Sequence, residues 1–277
     1  MAERTLIHAR VVSGSGGGPD KTILNSPRYL EALDIHTLLV YLRHPGDVSF
    51  RELDLRAQER GVPITAIDDH GPLDLRVYRR VGELCRQARP ALWHGHDYKT
   101  NLIGLLARRR SPMALATTVH GWVKRTWKTP LYYAIDRWCL PRYEAVVCVS
   151  KDLYRTCLDL GVADDRCHYL PNAIDLDEFR RRRTRSEAKR QLDTPVDRVV
   201  LGAVGRLSKE KGFDLLISAF AEISDRWPQI DLWIVGEGDH EAGLRTLIDE
   251  LGLGQRVKLL GYRADVASLY EAMDVFV

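Results

Sequence analysis

Charge of one sign is missing from this 277-residue sequence. Its 41 lysines and arginines nearly cancel 38 aspartates and glutamates, leaving a formal +3 at pH 7, too little for a general nucleic-acid binder. Any basic function must therefore be local. Cysteine is sparse and odd in number: Cys85, Cys139, Cys148, Cys157 and Cys167 show no C-x-x-C spacing, and Cys148 sits inside the apolar run AVVCVS. No disulfide framework fits that pattern, so the five are expected to be reduced core residues of a cytoplasmic protein. Long apolar runs are lacking too. Nothing approaches the ~20 residues of a spanning helix, and the opening MAERTLIHARVV lacks the apolar segment of a signal peptide. The expectation is a soluble chain that can still rest on the inner face of a membrane.

What is present is a regular alternation. TLIHARVV (5–12) and IHTLLVYL (35–42) are short, β-branched apolar runs, and SPRYLEAL between them has helical spacing. The pattern repeats through VPITAI, ALWHGH, MALATTVH and AVVCVS, with helical segments between. Strands without polar alternation are covered on both faces, which implies a parallel sheet flanked by helices. Residues 1–175 are thus expected as a doubly wound α/β domain. Residues 176–197, including Arg180 to Arg183, have almost no apolar content and are expected as a solvated, charged linker. Residues 198–277 repeat the alternation and stop inside the apolar run DVFV, so the second α/β domain is expected to be incomplete.

GAVGRLSKEKGFDLL (202–216) ends a strand with Gly205, places Arg206 and Lys211 in the following loop, and then starts a helix. Free N–H groups at a helix start attract anions, Arg206 can fork onto phosphate oxygens, and Lys211 adds a point charge. A diphosphate fits; a merely solvated basic loop is the plain alternative. A P-loop is excluded because Gly212 and Phe213 follow Lys211. The cluster GSGGG (14–18) fails as a dinucleotide fingerprint, since Pro19 occupies the third glycine position and the second strand ends in VYLRH without an acid. A flexible ligand loop or a bare turn remains. His94, His96 and Asp97 follow one strand and His120 the next. Because Tyr98 and Lys99 break the H-x-H-x-D-H pattern of binuclear hydrolases, these groups are expected to line a cleft, with no metal, and His120 to be exposed at its mouth.

GAVGRLSKEKGFDLLISAF, DLWIVGEGD, RVKLLGY and LYEAMDVFV, in this order, resemble the donor domain of retaining GT-B glycosyltransferases of family 4. SGSGGGPDKTILN, HGHDYKTN, TTVHGW, VVCVSKDL and LPNAID are similar to the acceptor domain of that family. The resemblance implies two Rossmann-like domains facing a cleft and transfer of a sugar from a nucleotide-diphosphate sugar to a hydroxyl acceptor, saccharide or lipid-linked. It implies no divalent metal and no cofactor, with Arg206, Lys211 and His120 as catalytic residues. Gly16, Gly17, Gly205, Gly236, Glu237, Gly238, Leu259 and Leu260 would bind the donor, and His94, His96, Asp97 and Asn101 would lie along the acceptor cleft. Two departures stand out. Ala173 replaces the glycine of the family's N-G-[VI]-D, and the paired glutamates that hold the donor sugar would lie beyond Val277. A non-catalytic nucleotide-binding remnant and a GT-B epimerase are the alternatives. Peripheral membrane contact is expected at WVKRTWK (122–128).

Overall fold

The computed structural model describes residues 4–72, 74–122 and 129–277. The chain divides into two compact units, Met1–Ile174 and Asp175–Val277. The first carries strands β1 (Arg4–Val12), β2 (Ile35–Arg43), β3 (Ile64–Asp68), β4 (Leu92–Gly95), β5 (Ala114–Val119), β6 (Ala145–Cys148) and β7 (Cys167–Tyr169). Its helices are α1 (Gly18–Leu30), α2 (Phe50–Glu59), α3 (Leu75–Ala88), α4 (Tyr98–Ala107), α5 (Thr129–Cys139) and α6 (Lys151–Asp159). The strands form one sheet in the order β3-β2-β1-β4-β5-β6-β7, and every pairing is parallel.

Apolar residues fill both faces of this sheet, as the unbroken apolar runs require. Leu39 and Tyr41 of β2 pack with Ile23, Leu24 and Leu53 on one side. Val40 and Leu42 pack with Ile7, Val77, Trp93 and Leu115 on the other. The strand order reverses between β1 and β4, which opens a crevice at their carboxyl ends, the usual ligand position in such sheets.

The glycine cluster departs from the expected loop followed by a helix near residue 26. Helix α1 already begins at Gly18, with Gly17 as its N-cap and a proline in the first turn, where the missing N–H costs nothing. Asp20 takes the N–H of Gly17 at 2.6 Å and pairs with Arg10 at 2.9 Å.

The second unit holds α7 (Arg185–Gln191), β8 (Val199–Val204), α8 (Phe213–Ser224), β9 (Ile230–Val235), α9 (Glu241–Glu250), β10 (Val257–Leu259), α10 (Val266–Ala272) and β11 (Val275–Phe276). Its parallel sheet runs β10-β9-β8-β11. Ala203, Leu232 and Ile234 meet Ile217, Phe220 and Leu244 on one face. Val200, Trp233 and Val235 meet Ala188 and Leu269 on the other.

The charged segment 176–197 is not a solvated linker. It belongs to the second unit, and α7 starts at a capping box between Thr184 and Glu187. Glu271 of α10 accepts from the backbone N–H groups of Arg182 and Arg183 and pairs with the Arg183 guanidinium at 3.1 Å. Arg182 and Arg183 are thereby anchored to a buried carboxylate, while the side chains of Arg180 to Arg182 stay exposed.

All five cysteines are free and buried. No described helix is long and apolar enough to cross a membrane. Apart from Trp122, the segment expected to touch a membrane lies outside the described residues.

Candidate functional site

In the second unit the loops after β8, β9 and β10 are laced together at the carboxyl edge of the sheet. Gly205 N–H donates to Val235 O and Leu207 N–H to Glu237 O, both at 2.9 Å, while Gly236 N–H donates to Gly261 O at 2.8 Å. Gly236 permits this approach: its φ is +139°, and an added Cβ would lie 1.9 Å from Gly205 O. Gly238 is confined in the same way, its Cβ position lying 2.3 Å from Leu207 O. Both glycines therefore bring the β9 loop against the β8 loop. Glu237 is exposed, while Leu259 and Leu260 are half-buried.

The segment after Gly205 carries the cations. Arg206 is exposed and paired with Glu210 at 3.1 Å. Lys209–Lys211 form one 3-10 turn, and Gly212, at φ +66°, turns the chain into α8 without a side-chain cap. Lys211 is exposed. Ser208 is 7% exposed, and no described group bonds its hydroxyl. A helix start with uncapped N–H groups, two exposed cations and a free hydroxyl suits a multiply charged anion.

In the first unit the histidines gather on one face. The β1–β4 register sets His8 beside His94, and His96, two residues on, points the same way. The His94 and His96 rings stack at 4.4 Å, and His96 stacks on His120 at 5.6 Å. His8 Nδ1 faces His96 Nε2 at 3.0 Å, and His96 Nδ1 faces His120 Nε2 at 3.3 Å. Burial, and secondarily its neighbour His94, holds the His8 pKa far below the ordinary range, and burial first does the same for His96. Burial with the charge of His120 lowers His94 to about 4, and burial with the charge of Arg10 lowers His120 to about 4. All four are neutral at pH 7, which lets them stack without repulsion.

Ligand atoms of His8, His94 and His96 lie within 4.8 Å of one another. The near-parallel His94 and His96 rings direct their in-plane lone pairs alongside each other rather than toward one point, and the facing nitrogens of His8 and His96 are hydrogen-bonded. This geometry suits a hydrogen-bonded chain better than a tetrahedral ion.

Several expected site residues turn inward. His120 is half-buried rather than exposed. Asp97 caps α4 through Lys99 N–H and Thr100 N–H, both at 3.0 Å, and takes Val11 N–H at 2.7 Å. Asn101 is 2% exposed and donates to Asp136 at 2.7 Å. Asp97 thus ties α4 to β1, and Asn101 ties it to α5. Gly16 (φ +81°) and Gly17 are held close to Asp20, whose carboxylate already takes the N–H that an anion would use.

Sequence reasoning missed a neighbouring pocket of about 310 Å³ at the carboxyl ends of β1 to β3, lined by Val11, Asp69, His70, Tyr98, Lys99 and Tyr132 among others. Tyr98 and Tyr132 stack at 4.6 Å, nearly parallel. Lys99 is buried and reaches both Asp69 and Gly71 O at 2.6 Å. Tyr98 and Lys99 were legible only as breaks in a metal pattern, and their partners come from distant segments.

The chain matches two family models: Glycosyltransferase Family 4 over residues 16–178 and Glycosyl transferases group 1 over residues 184–277. It is 39% identical over 87 residues to a lipopolysaccharide core biosynthesis glycosyltransferase, LpsE, of Rhizobium meliloti, covering 31% of this chain and 24% of that protein. It is 33% identical over 134 residues to LpsD of the same organism, covering 48% and 36%. The aligned stretches thus span well under half of these relatives. A GDP-mannose-dependent phosphatidylinositol monomannoside mannosyltransferase of Mycolicibacterium smegmatis is 27% identical over 90% of this chain and 67% of its own length. Among solved structures, Anabaena Alr3699/HepE in complex with UDP superposes with a TM-score of 0.78 at 21% identity, over 99% of this chain and 73% of that one. That likeness establishes the fold as GT-B.

Proposed function

The chain belongs to the group 1 glycosyltransferases, and from that premise we propose that it transfers a sugar from a nucleotide-diphosphate sugar to a hydroxyl acceptor, with retention at the anomeric carbon. The feature that supports this reading is the loop from Gly205 to Gly212, which carries the exposed Arg206 and Lys211 and leads into the start of α8, where no side chain caps the helix. Breaking the bond from the anomeric carbon to the phosphate leaves charge on the nucleotide. Arg206 and Lys211 would meet that charge, and fixed donors of this kind lower the barrier without reorganising. In this reading the cations replace a divalent metal. Releasing Arg206 from Glu210 costs little, because both side chains are exposed and such a pair contributes about 0–1 kcal/mol.

Glu237, Leu259 and Leu260 border the same edge and would flank the nucleotide, while Gly236 and Gly238 hold the loops in place. In the first unit, His120 would sit at the transferred sugar, and the pocket beside Tyr98 and Tyr132 would receive the acceptor. The activities for which LpsD and the phosphatidylinositol monomannoside mannosyltransferase are named favour a saccharide or lipid-linked acceptor. Front-face transfer, with the departing phosphate helping to deprotonate the acceptor, completes the reading.

Calorimetric titration with UDP and with GDP tests it. Arg206→Ala and Lys211→Ala should each weaken nucleotide binding at least about tenfold, as expected for a lost hydrogen bond to a charged group. Unchanged affinity in both variants would sink the assignment.

A further inference from the structure

We propose that Ser26, His8 and His96 are positioning residues that hold His120 in its Nε2–H tautomer, leaving Nδ1 unprotonated as a hydrogen-bond acceptor for a ligand hydroxyl. The ligand's identity rests on the reading of His120 given above; the tautomer does not.

The chain of constraints starts at a proline. Pro27 lies inside α1 and has no N–H, so the carbonyl of Ile23, four residues earlier, loses its helical donor. Ser26 Oγ lies 2.9 Å from that carbonyl and donates to it. A serine hydroxyl has one proton, so toward His8 Nε2, at 3.2 Å, Ser26 can only accept. His8 must then carry its proton on Nε2.

The remaining steps follow from neutral imidazoles, each with one N–H and one bare nitrogen. His8 Nδ1 is bare and accepts from His96 Nε2–H at 3.0 Å. His96 Nδ1 is therefore bare and accepts from His120 Nε2–H at 3.3 Å. That leaves His120 Nδ1 unprotonated, and no described group bonds to it. Reversing the chain would set two lone pairs face to face, those of Ser26 Oγ and a bare His8 Nε2, or strip Ile23 O of its donor inside the helix. His94 stands outside the chain, with its Nε2 2.8 Å from Thr118 Oγ1.

The consequence is selectivity by polarity. A bare Nδ1 accepts from a sugar hydroxyl but cannot donate to a ligand carbonyl or phosphate oxygen. No residue of the chain except His120 is required to touch the ligand.

Long-range proton–nitrogen correlation spectra of protein labelled in its histidines read each tautomer directly, without nucleotide, so the result is independent of the Arg206 site. The expected pattern at neutral pH is Nε2–H on His8, His96 and His120. Ser26→Ala removes the terminal acceptor, and the His120 proton should redistribute toward Nδ1, while the backbone amide spectrum reports that the variant is folded. If Ser26→Ala does not fold, Pro27→Ala serves: it returns an N–H to Ile23 O, frees the Ser26 hydroxyl to donate to His8, and should produce the same redistribution. An Nδ1–H proton on His120 in the parent protein, or no redistribution in the folded variant, would overturn the proposal. So would one equivalent of zinc shifting His8, His94 and His96 together, which would put these rings to work as metal ligands.

Discussion

Gly236 shows how little freedom single positions at the second sheet's edge have. With φ at +139° and backbone where a side chain would go, Gly236→Ala should destabilise the protein by roughly 2–4 kcal/mol and abolish nucleotide binding, measured by urea unfolding and calorimetry. The histidines give a second prediction at this scale. Unfolded, each titrates near ~6.5; folded, His94 and His120 are held down to about 4, and His8 and His96 lie well below their ordinary value. The unfolded chain therefore binds more protons below pH ~6.5, and stability must fall as pH drops from there toward ~4. Arg10, next to the cluster and held by Asp20, adds to this by opposing a charged His120. At pH ~5 His94 and His120 should each have cost roughly 2 kcal/mol relative to pH ~7.5, with His8 and His96 adding in the same direction. Denaturant unfolding at the two pH values checks it, and equal stability would contradict the buried, neutral cluster.

Among the elements, α7 depends most on one contact. Its sequence is almost entirely polar, yet Lys189 is 3% exposed and its ammonium reaches Asp274 and Arg198 O at 2.6 Å. Asp274 in turn takes Val200 N–H of β8 at 2.8 Å. Lys189→Ala would leave Asp274 with only the more exposed Arg185 as a cation, at 3.2 Å, and losing its buried, hydrogen-bonded partner should cost about 1–3 kcal/mol. The loss should appear as a lowered urea midpoint. Periodicity could not announce α7, because an amphipathic pattern reports apolar burial and this helix docks through Ala188 and a buried ion pair. The helix α1 start was likewise hidden: the glycines signalled a turn, whereas Asp20, buried against Arg10, closes that turn into a helix cap.

For the whole molecule, nucleotide binding should register unevenly. UDP or GDP should slow amide hydrogen exchange in 205–215 and 236–240, where the loops are laced together, and raise stability by about 2.7 kcal/mol at a hundredfold excess over Kd. Protection that spares 205–212 would place the anion elsewhere.

The sequence by itself determined the parallel α/β architecture of both units, because strands covered on two faces cannot alternate polar and apolar residues. It also determined the strand–loop–helix passage that carries Gly205, Arg206, Lys211 and Gly212, because those residues lie within one local stretch of chain. Only the tertiary structure decided which polar groups meet. His8 joins His94 and His96 through the β1–β4 register, Asp97 and Asn101 turn inward because α4 needs its cap and its brace, and Tyr98 finds Tyr132 across 34 residues of chain. Such contacts depend on strand order and on packing between distant segments, and neither leaves a period in a linear sequence.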